Sequence, residues 1–185
     1  MKKAIFLTFL LLVIPCNAVI ISVEPDGSGD QPTIQAAIVA AGIGDEIVLS
    51  TGTYTGDGNR DINFGGRSIM VRSTDPQDPC VVAATIIDCD GSEEEPHRGF
   101  YFNSGEDANS VLSGLTITNG YGPNEEIYGG EVSVGGAIYC YNSSPTLTNC
   151  IFSNNTALGG GGMLNSENSN PALTNCIFSN NTAPG

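Results

Sequence analysis

The sequence has no tryptophan, a single histidine and, after Lys2 and Lys3, no lysine. The remaining basic residues are Arg60, Arg67, Arg72 and Arg98. They stand against 20 acidic residues, and the formal net charge is −14. A surface of this charge repels phosphate backbones and anionic lipids. The composition therefore argues against a nucleic-acid-binding function.

Long apolar periodic segments are also missing from residues 135–185, which instead contain two copies of a sequence repeat. Adding 26 to the residue numbers of 135–157 gives 161–183, with Asn-Cys-Ile-Phe-Ser-Asn-Asn-Thr-Ala in both copies. Glycine, proline and asparagine interrupt each copy and exclude a helix of ordinary length. A repeat of this size predicts a unit that buries its apolar face by stacking on a copy of itself.

Each unit has three short apolar segments separated by turn formers, which predicts three strands and three turns per coil. Coils of this kind stack at the strand spacing of about 4.8 Å. The predicted fold is a right-handed parallel β-helix over residues 19–185, all-β apart from one helix, with about six coils. Side chains alternate along a strand, so Cys150 and Phe152 are predicted inside and Ile151 outside. Residues 121–131 are predicted to be an insertion, because this coil is 35 residues long.

The N-terminus predicts export. Met1-Lys2-Lys3 precedes the apolar run 4–14 and Pro15-Cys16-Asn17-Ala18, which is typical of a signal peptide over residues 1–18. The run is too short to span a bilayer, so no transmembrane helix is expected. Acylation of Cys16 is the alternative interpretation.

Residues 33–41 carry the only helical pattern, with Ile34, Ala37, Ile38 and Ala41 on one face. Thr33 is the predicted N-cap and Gly42 the predicted C′ residue. The first coil of a β-helix has nothing beneath it, so this helix is predicted to cap the solenoid. Residues 81–87 are predicted to be one of several further short strands.

Two stretches resemble known families. Gly135-Gly136-Ala137-Ile138 followed by Phe-Ser-Asn-Asn at 152–155 and 178–181 resembles the repeats of polymorphic outer-membrane proteins, which are surface β-helices of the autotransporter type. The second copy departs from that pattern at 161–164, which read Gly-Gly-Met-Leu. Asp26-Gly27-Ser28-Gly29-Asp30 with Thr33-Ile34 and Ala36-Ala37-Ile38 resembles the N-terminal turn and cap of pectinesterases, in the pectin lyase-like superfamily. No catalytic residue of those enzymes can be carried over.

Acidic residues in two loops are candidates for acid–base catalysis or for Ca²⁺, which prefers hard oxygen ligands. The calcium candidates are Asp57, Asp61, Asp88 and Asp90. A plain solvated face is the competing interpretation, which also covers the acids at 93–95, and no other cofactor is expected. His97 is interpreted as part of a turn. No catalytic constellation emerges.

Repeated polar residues have structural interpretations. Asn142 with Asn168, and Asn154 with Asn180, are predicted to form amide ladders at turns. Cys150 and Cys176 are predicted to stack as reduced thiols, because parallel side chains 4.8 Å apart do not suit a relaxed disulfide. If a bridge exists, Cys80 and Cys89 are the predicted pair.

Taken together, these patterns predict an exported, surface or extracellular, non-catalytic β-helix. The expected partners are a polysaccharide or a host or cell-surface ligand. The alternative is a carbohydrate-active enzyme, a lyase or esterase, whose catalytic coils lie beyond residue 185. The repeat breaks off halfway through a unit at Pro184-Gly185, so the C-terminus is predicted to be truncated.

Overall fold

The computed structural model describes residues 18–127 and 130–184, and the predicted signal peptide with Cys16 lies outside them except for Ala18. The first ten strands are β1 (Ile20–Val23), β2 (Glu46–Leu49), β3 (Gly52–Tyr54), β4 (Ile62–Asn63), β5 (Met70–Ser73), β6 (Thr85–Asp88), β7 (Phe100–Phe102), β8 (Val111–Ser113), β9 (Thr116–Thr118) and β10 (Asn124–Ile127). The others are β11 (Gly130–Ser133), β12 (Ile138–Tyr141), β13 (Thr146–Thr148), β14 (Ile151–Ser153), β15 (Met163–Ser166), β16 (Ala172–Thr174) and β17 (Ile177–Ser179). The helices are α1 (Ile34–Ala40) and α2 (Pro79–Ala84).

Three parallel sheets form the walls of a solenoid. Sheet A has the order β1-β2-β5-β8-β13-β16, sheet B β17-β14-β9-β6-β3, and sheet C β15-β12-β7-β4. From β2 onward the chain visits one strand of each sheet in turn, apart from the β10–β11 pair, whereas only α1 stands between β1 and β2. The six strands of sheet A mark six coils. The repeat is kept in register, since Phe152 pairs with Phe178 and Leu147 with Leu173. The right-handed parallel β-helix and its coil number are confirmed.

The interior is built by the alternation of side chains along each strand. Cys150 and Phe152 are fully buried, while Ile151 between them is half-buried, as predicted. Phe152 stacks on Phe178 of the next coil with ring centroids 4.7 Å apart. Leu115 and Ile117 of the preceding coil are buried at the equivalent positions. Stacking of like residues thus turns the sequence repeat into one continuous core.

Asparagines form the corners, but not in the predicted way. Asn142, Asn154, Asn168 and Asn180 have left-handed backbones with φ of 47°, 58°, 64° and 54°. Within residues 18–127 and 130–184 no hydrogen bond joins the side chains of those predicted pairs. The amide contacts are made by other asparagines, so the predicted ladder positions are wrong.

Two other asparagine pairs form the amide ladders. One pair lies one residue beyond the predicted positions 154 and 180, and the other lies at the corner before them. Asn155 donates to the Asn181 side chain at 3.0 Å, and Asn175 donates to the Asn149 side chain at 3.2 Å. Asn155 is fully buried and also satisfies Gly120 N–H and Ile117 C=O. The left-handed Asn154 bends the chain, so Asn155 after it points inward and reaches the neighbouring coil, whereas Asn149 and Asn175 are themselves left-handed.

Helix α1 closes the first coil as predicted. Thr33 caps it by accepting from Ala36 N–H, and Ile34, Ala37 and Ile38 are buried. Gln35 then pairs with the free edge of β4: its amide donates to Asn63 C=O at 3.0 Å and accepts from Asn63 N–H at 2.8 Å. The side chain supplies the two hydrogen bonds that a further strand would have made.

The end of α1 differs from the prediction. Gly42 does not have a left-handed backbone; Ala41 is extended and Gly42 N–H donates to the Asp45 carboxylate at 2.8 Å. A carboxylate three residues later stops the helix, so a left-handed glycine is not needed.

The turn at 26–30 protects the edge of β1. Asp30 accepts from the backbone and hydroxyl of Ser22 at 2.8 and 2.7 Å. A Cβ at Gly29 would lie 2.6 Å from Ser22 C=O, so this close approach requires glycine. The turn interpretation of this glycine-rich phrase is supported by these contacts.

Residues 81–87 are not one strand, so that prediction is wrong. Helix α2 covers Pro79–Ala84 and β6 begins at Thr85. Asp78 caps α2 by accepting from Cys80 N–H, and Pro79 occupies the first turn, where its missing N–H costs nothing. Asp-Pro before a short apolar run was the signal for a helix start. Across the described ranges, neither helix has the length needed to cross a membrane.

Asp45 makes the first coil sensitive to acid. Its carboxylate accepts from Val19 N–H at 2.9 Å and from Gly42 N–H, and these bonds, Val19 first, hold its pKa below the usual range. The lowered pKa contributes stability that is present above the unfolded pKa of about 4 and is lost as pH falls through the folded value. We expect Asp45→Asn to lower the urea midpoint of unfolding at pH 7. Below about pH 4, the midpoint of the variant should fall less steeply with decreasing pH than that of the wild type.

The matched control is Asp57→Asn, because the Asp57 side chain is fully exposed and its ion pair with Arg60 is long, at 3.9 Å. Urea unfolding measured at several pH values checks the prediction. The same acid response in wild type and Asp45→Asn would contradict it.

Candidate functional site

A hairpin interrupts the solenoid at the predicted insertion. Strands β10 and β11 are antiparallel, with Asn124 opposite Ser133 and Glu126 opposite Glu131. Ser133 Oγ donates to Gly122 C=O at 2.6 Å, and Val134 N–H donates to Pro123 C=O at 3.1 Å. These bonds tie the base of the hairpin to the coil.

Tyrosines form a stack on the outer face of sheet C. Register places Tyr139 of β12 beside Tyr101 of β7, with ring centroids 5.2 Å apart and planes 6° apart. Tyr141 meets Tyr139 edge-on at 6.4 Å. Tyr139 is buried and Tyr141 is 43% exposed. The stack therefore leads from beneath the hairpin out to solvent.

Arg98 joins the hairpin to this stack. Its guanidinium carbon lies 4.8 Å from the Tyr101 ring centroid and 5.2 Å from that of Tyr139. Nη2 donates to Glu125 at 2.9 Å and to Pro123 C=O at 3.3 Å. The side chain is 2% exposed, and its Nε and Nη1 have no partner within the described part of the chain. Glu125 is thus the carboxylate that balances a buried cation.

We expect Glu125→Gln to cost about 1–3 kcal/mol of unfolding free energy, because a buried guanidinium loses its charged partner. Glu46→Gln is the matched control. Glu46 pairs with Arg72 at 2.8 Å, but the Arg72 side chain is 21% exposed, so its loss should cost less than about 1 kcal/mol. Equal shifts of the two variants in denaturant titrations would contradict the buried-cation argument.

A cleft of about 570 Å³ lies between the hairpin and the outer face of sheet C. One wall is the hairpin and the other comes from β12, β15 and the turn after β15. Tyr139 Oη and Ser166 Oγ lie 3.0 Å apart within it. The lining residues are Glu126, Val132, Val134, Tyr139, Tyr141, Gly159, Leu164, Asn165, Ser166 and Glu167. Aromatic and aliphatic walls with a few polar groups are typical of sites for small molecules or oligosaccharide units.

The turn after β15 sets the rim of the cleft. Glu167 and Asn168 are both left-handed, with φ of 49° and 64°, and Ser169 N–H donates to Ser166 C=O at 3.2 Å. Asparagine tolerates this backbone better than glutamate does. The tight turn fixes Glu167 at the mouth of the cleft.

Sequence reasoning identified the insertion but missed the cleft. The signal was available in the 35-residue coil together with tyrosines at 101, 139 and 141. It was not decisive, because the pairing of those tyrosines depends on register between coils.

The structure gives three of the four calcium candidates partners outside this set, and the fourth, Asp90, contacts Asp88. Asp57 contacts Arg60 at 3.9 Å, Asp61 contacts His97, and Asp88 accepts from Asn119 and from Asp90 N–H. In the residues that the structure describes, no group of three or more histidine, cysteine or acidic side chains could hold a metal. Calcium binding by these aspartates stays a prediction.

His97 has a partner that the sequence did not reveal. Its Nδ1 lies 2.6 Å from the Asp61 carboxylate, whose other oxygen accepts from Arg98 N–H at 2.9 Å. Asp61 has a left-handed backbone with φ of 51°. The pair connects two successive coils beside β4 and β7, and His97 C=O accepts from Tyr121 N–H. His97 lies in an irregular segment before β7 rather than in the predicted turn, and it bridges successive coils.

Five cysteines are free thiols in the structure: Cys80, Cys89, Cys140, Cys150 and Cys176. Cys150 and Cys176 are neighbours in adjacent coils, and hydrogen bonding to the Cys150 thiol lowers the pKa of Cys176. That contact, followed by burial, raises the pKa of Cys150. Cys80 is exposed and Cys89 is buried. The redox state of these cysteines stays a prediction.

Fold and cleft together define a class of protein: a solenoid of stacked three-strand coils with a tyrosine-lined cleft on one flank. A family model described as the right-handed beta helix region matches residues 33–185. The chain belongs to this right-handed β-helix family. No curated protein matches the chain significantly.

Proposed function

We propose that this protein is an exported, surface or extracellular β-helix that binds a polysaccharide without cleaving it. The observation that carries the proposal is the cleft between the hairpin and sheet C. An exposed tyrosine ring offers a flat apolar surface to the C–H face of a pyranose, while Ser166 and the glutamates offer hydrogen-bonding groups to its hydroxyls.

Export and the resemblance to outer-membrane repeats come from the sequence. The signal-peptide pattern at 1–18 and the Phe-Ser-Asn-Asn motifs support a location at the cell surface or outside the cell. The same location suits a polysaccharide or cell-surface ligand. The hydrogen bonds at the hairpin base and the buried Arg98 support the cleft as a preformed site, which lowers the ordering cost of binding.

The test is Tyr141→Ala, with Tyr141→Phe as the matched control. Tyr141 is 43% exposed, so both variants should fold. We expect the alanine variant to lose roughly two- to tenfold in affinity for the polysaccharide, as loss of an aromatic contact does. The phenylalanine variant should keep the affinity, because the ring remains.

Affinity electrophoresis against a panel of neutral, amino-bearing and acidic polysaccharides, followed by calorimetry on short oligosaccharides, gives the readout. A protein that binds none of them, or that binds equally well after Tyr141→Ala, would overturn the proposal.

The second candidate is a carbohydrate-active enzyme, and the His97–Asp61 contact favours it. A histidine held by a carboxylate at 2.6 Å is an arrangement that serves general base catalysis. Release of reducing ends or unsaturated products from polysaccharides, abolished by His97→Ala, would replace the binding proposal with this one. Catalytic coils beyond residue 185 would produce turnover that His97→Ala leaves intact.

A further inference from the structure

We infer that the cleft selects a saccharide that carries a protonated amine, such as a chain of β-linked glucosamine, over neutral and uronic acid chains. This inference rests on the proposed function and names its ligand class. It starts from the two carboxylates that line the cleft, Glu126 on the hairpin wall and Glu167 at the rim.

The two glutamates come from opposite walls. Glu126 belongs to β10 and Glu167 to the turn after β15, so a ligand in the cleft lies between them. Neither residue has an ion-pair partner among the described side chains. The arginine closest in the chain to the hairpin, Arg98, is already bound to Glu125. Both carboxylates are therefore available to a cation from solution.

The hairpin adds a third negative charge. Register places Glu131 of β11 directly opposite Glu126, and like charges at opposite positions of an antiparallel pair repel each other. A bound ammonium group would relieve this repulsion, whereas a uronate carboxylate would increase it. The net charge of −14 likewise attracts a cationic ligand and repels an anionic one as it approaches.

The apolar part of the cleft makes the expected ligand a sugar rather than a simple cation. Tyr139, Tyr141, Leu164, Val132 and Val134 form walls that a metal ion or a small amine would leave uncovered. The volume of about 570 Å³ falls in the range of sites that enclose ligands of drug size. A short run of pyranose rings can cover the tyrosine faces while its amines reach the carboxylates.

Calorimetry with a glucosamine tetramer and its fully N-acetylated counterpart tests the inference, because the two differ in charge and not in backbone. We expect the amine form to bind roughly 4- to 25-fold more tightly, which corresponds to two exposed ion pairs of roughly two- to fivefold each. Oligogalacturonate should bind more weakly than either. Added salt should narrow the difference, since these carboxylates are exposed.

The double variant Glu126→Gln with Glu167→Gln should bind the amine and N-acetylated tetramers with equal affinity, because the two carboxylates that distinguish them are gone. Glu94→Gln is the control for non-specific attraction, because Glu94 is exposed on a loop outside the cleft. An amine preference that survives the double variant, or that Glu94→Gln reduces equally, would overturn the inference.

The two proposals fail in different ways. Equal binding of both tetramers that still depends on Tyr141 refutes the amine selectivity alone. Absence of binding of either tetramer and of every polysaccharide in the panel refutes both.

Discussion

Replacing Phe152 with alanine is expected to lower the free energy of unfolding by about 3–5 kcal/mol. Phe152 is fully buried and lies between Ile117 of one coil and Phe178 of the next. The cavity left behind would be walled by strands that are hydrogen-bonded on both sides, so the coil cannot collapse to fill it. The loss is therefore expected at the upper part of the range for large-to-small substitutions.

Ile151→Ala is the matched control, since it removes an aliphatic side chain from the outer face of the same strand. Ile151 is half-buried, and its variant should lose appreciably less than Phe152→Ala. Urea unfolding monitored by circular dichroism measures both values. If Ile151→Ala lowers the stability more than Phe152→Ala, the assignment of Phe152 to the inner face and Ile151 to the outer face of sheet B is wrong.

Ile38→Asp is expected to be similarly severe, with a loss of more than about 4 kcal/mol. Ile38 is fully buried on the face of α1 that covers the first coil, and a carboxylate there would be desolvated without a partner. Val39 is its neighbour in the chain but is 63% exposed. Val39→Asp should therefore change stability by no more than about 0.5 kcal/mol.

Thermal unfolding of the two variants separates a cap from a surface helix. Equal melting temperatures for Ile38→Asp and Val39→Asp would show that α1 does not seal the core. Because the cap and the coils share one continuous core, its loss should also remove the sharp, cooperative character of the transition.

The fold was predictable because its information is local and repeated. The 26-residue period, the alternation at Cys150-Ile151-Phe152 and the amphipathic pattern at 34–41 each need only a short window of sequence. Helix α2 was missed because Val81 and Val82 favour a strand, whereas the Asp78-Pro79 cap that decides the matter precedes them.

The candidate site was not predictable in the same way, because its contacts join residues from different coils. Arg98 meets Glu125 only after the hairpin has folded back over sheet C. Glu106 is a further example: it is 3% exposed, and its carboxylate accepts from Gly66 N–H, Ser104 N–H and Ser143 Oγ. Nothing near Glu106 in the sequence distinguishes it from the solvated acids at 93–95.

The pairing of Gln35 with β4 has a consequence for the assembly of many copies. A solenoid is in principle a one-dimensional polymer, since every coil offers its successor an open row of peptide groups. At β4 that row is occupied by a side chain of the same molecule, which satisfies both the N–H and the C=O of Asn63. Gln35 thus blocks end-to-end association at this edge, because a second molecule finds no free peptide group at Asn63 with which to pair and begin a fibre.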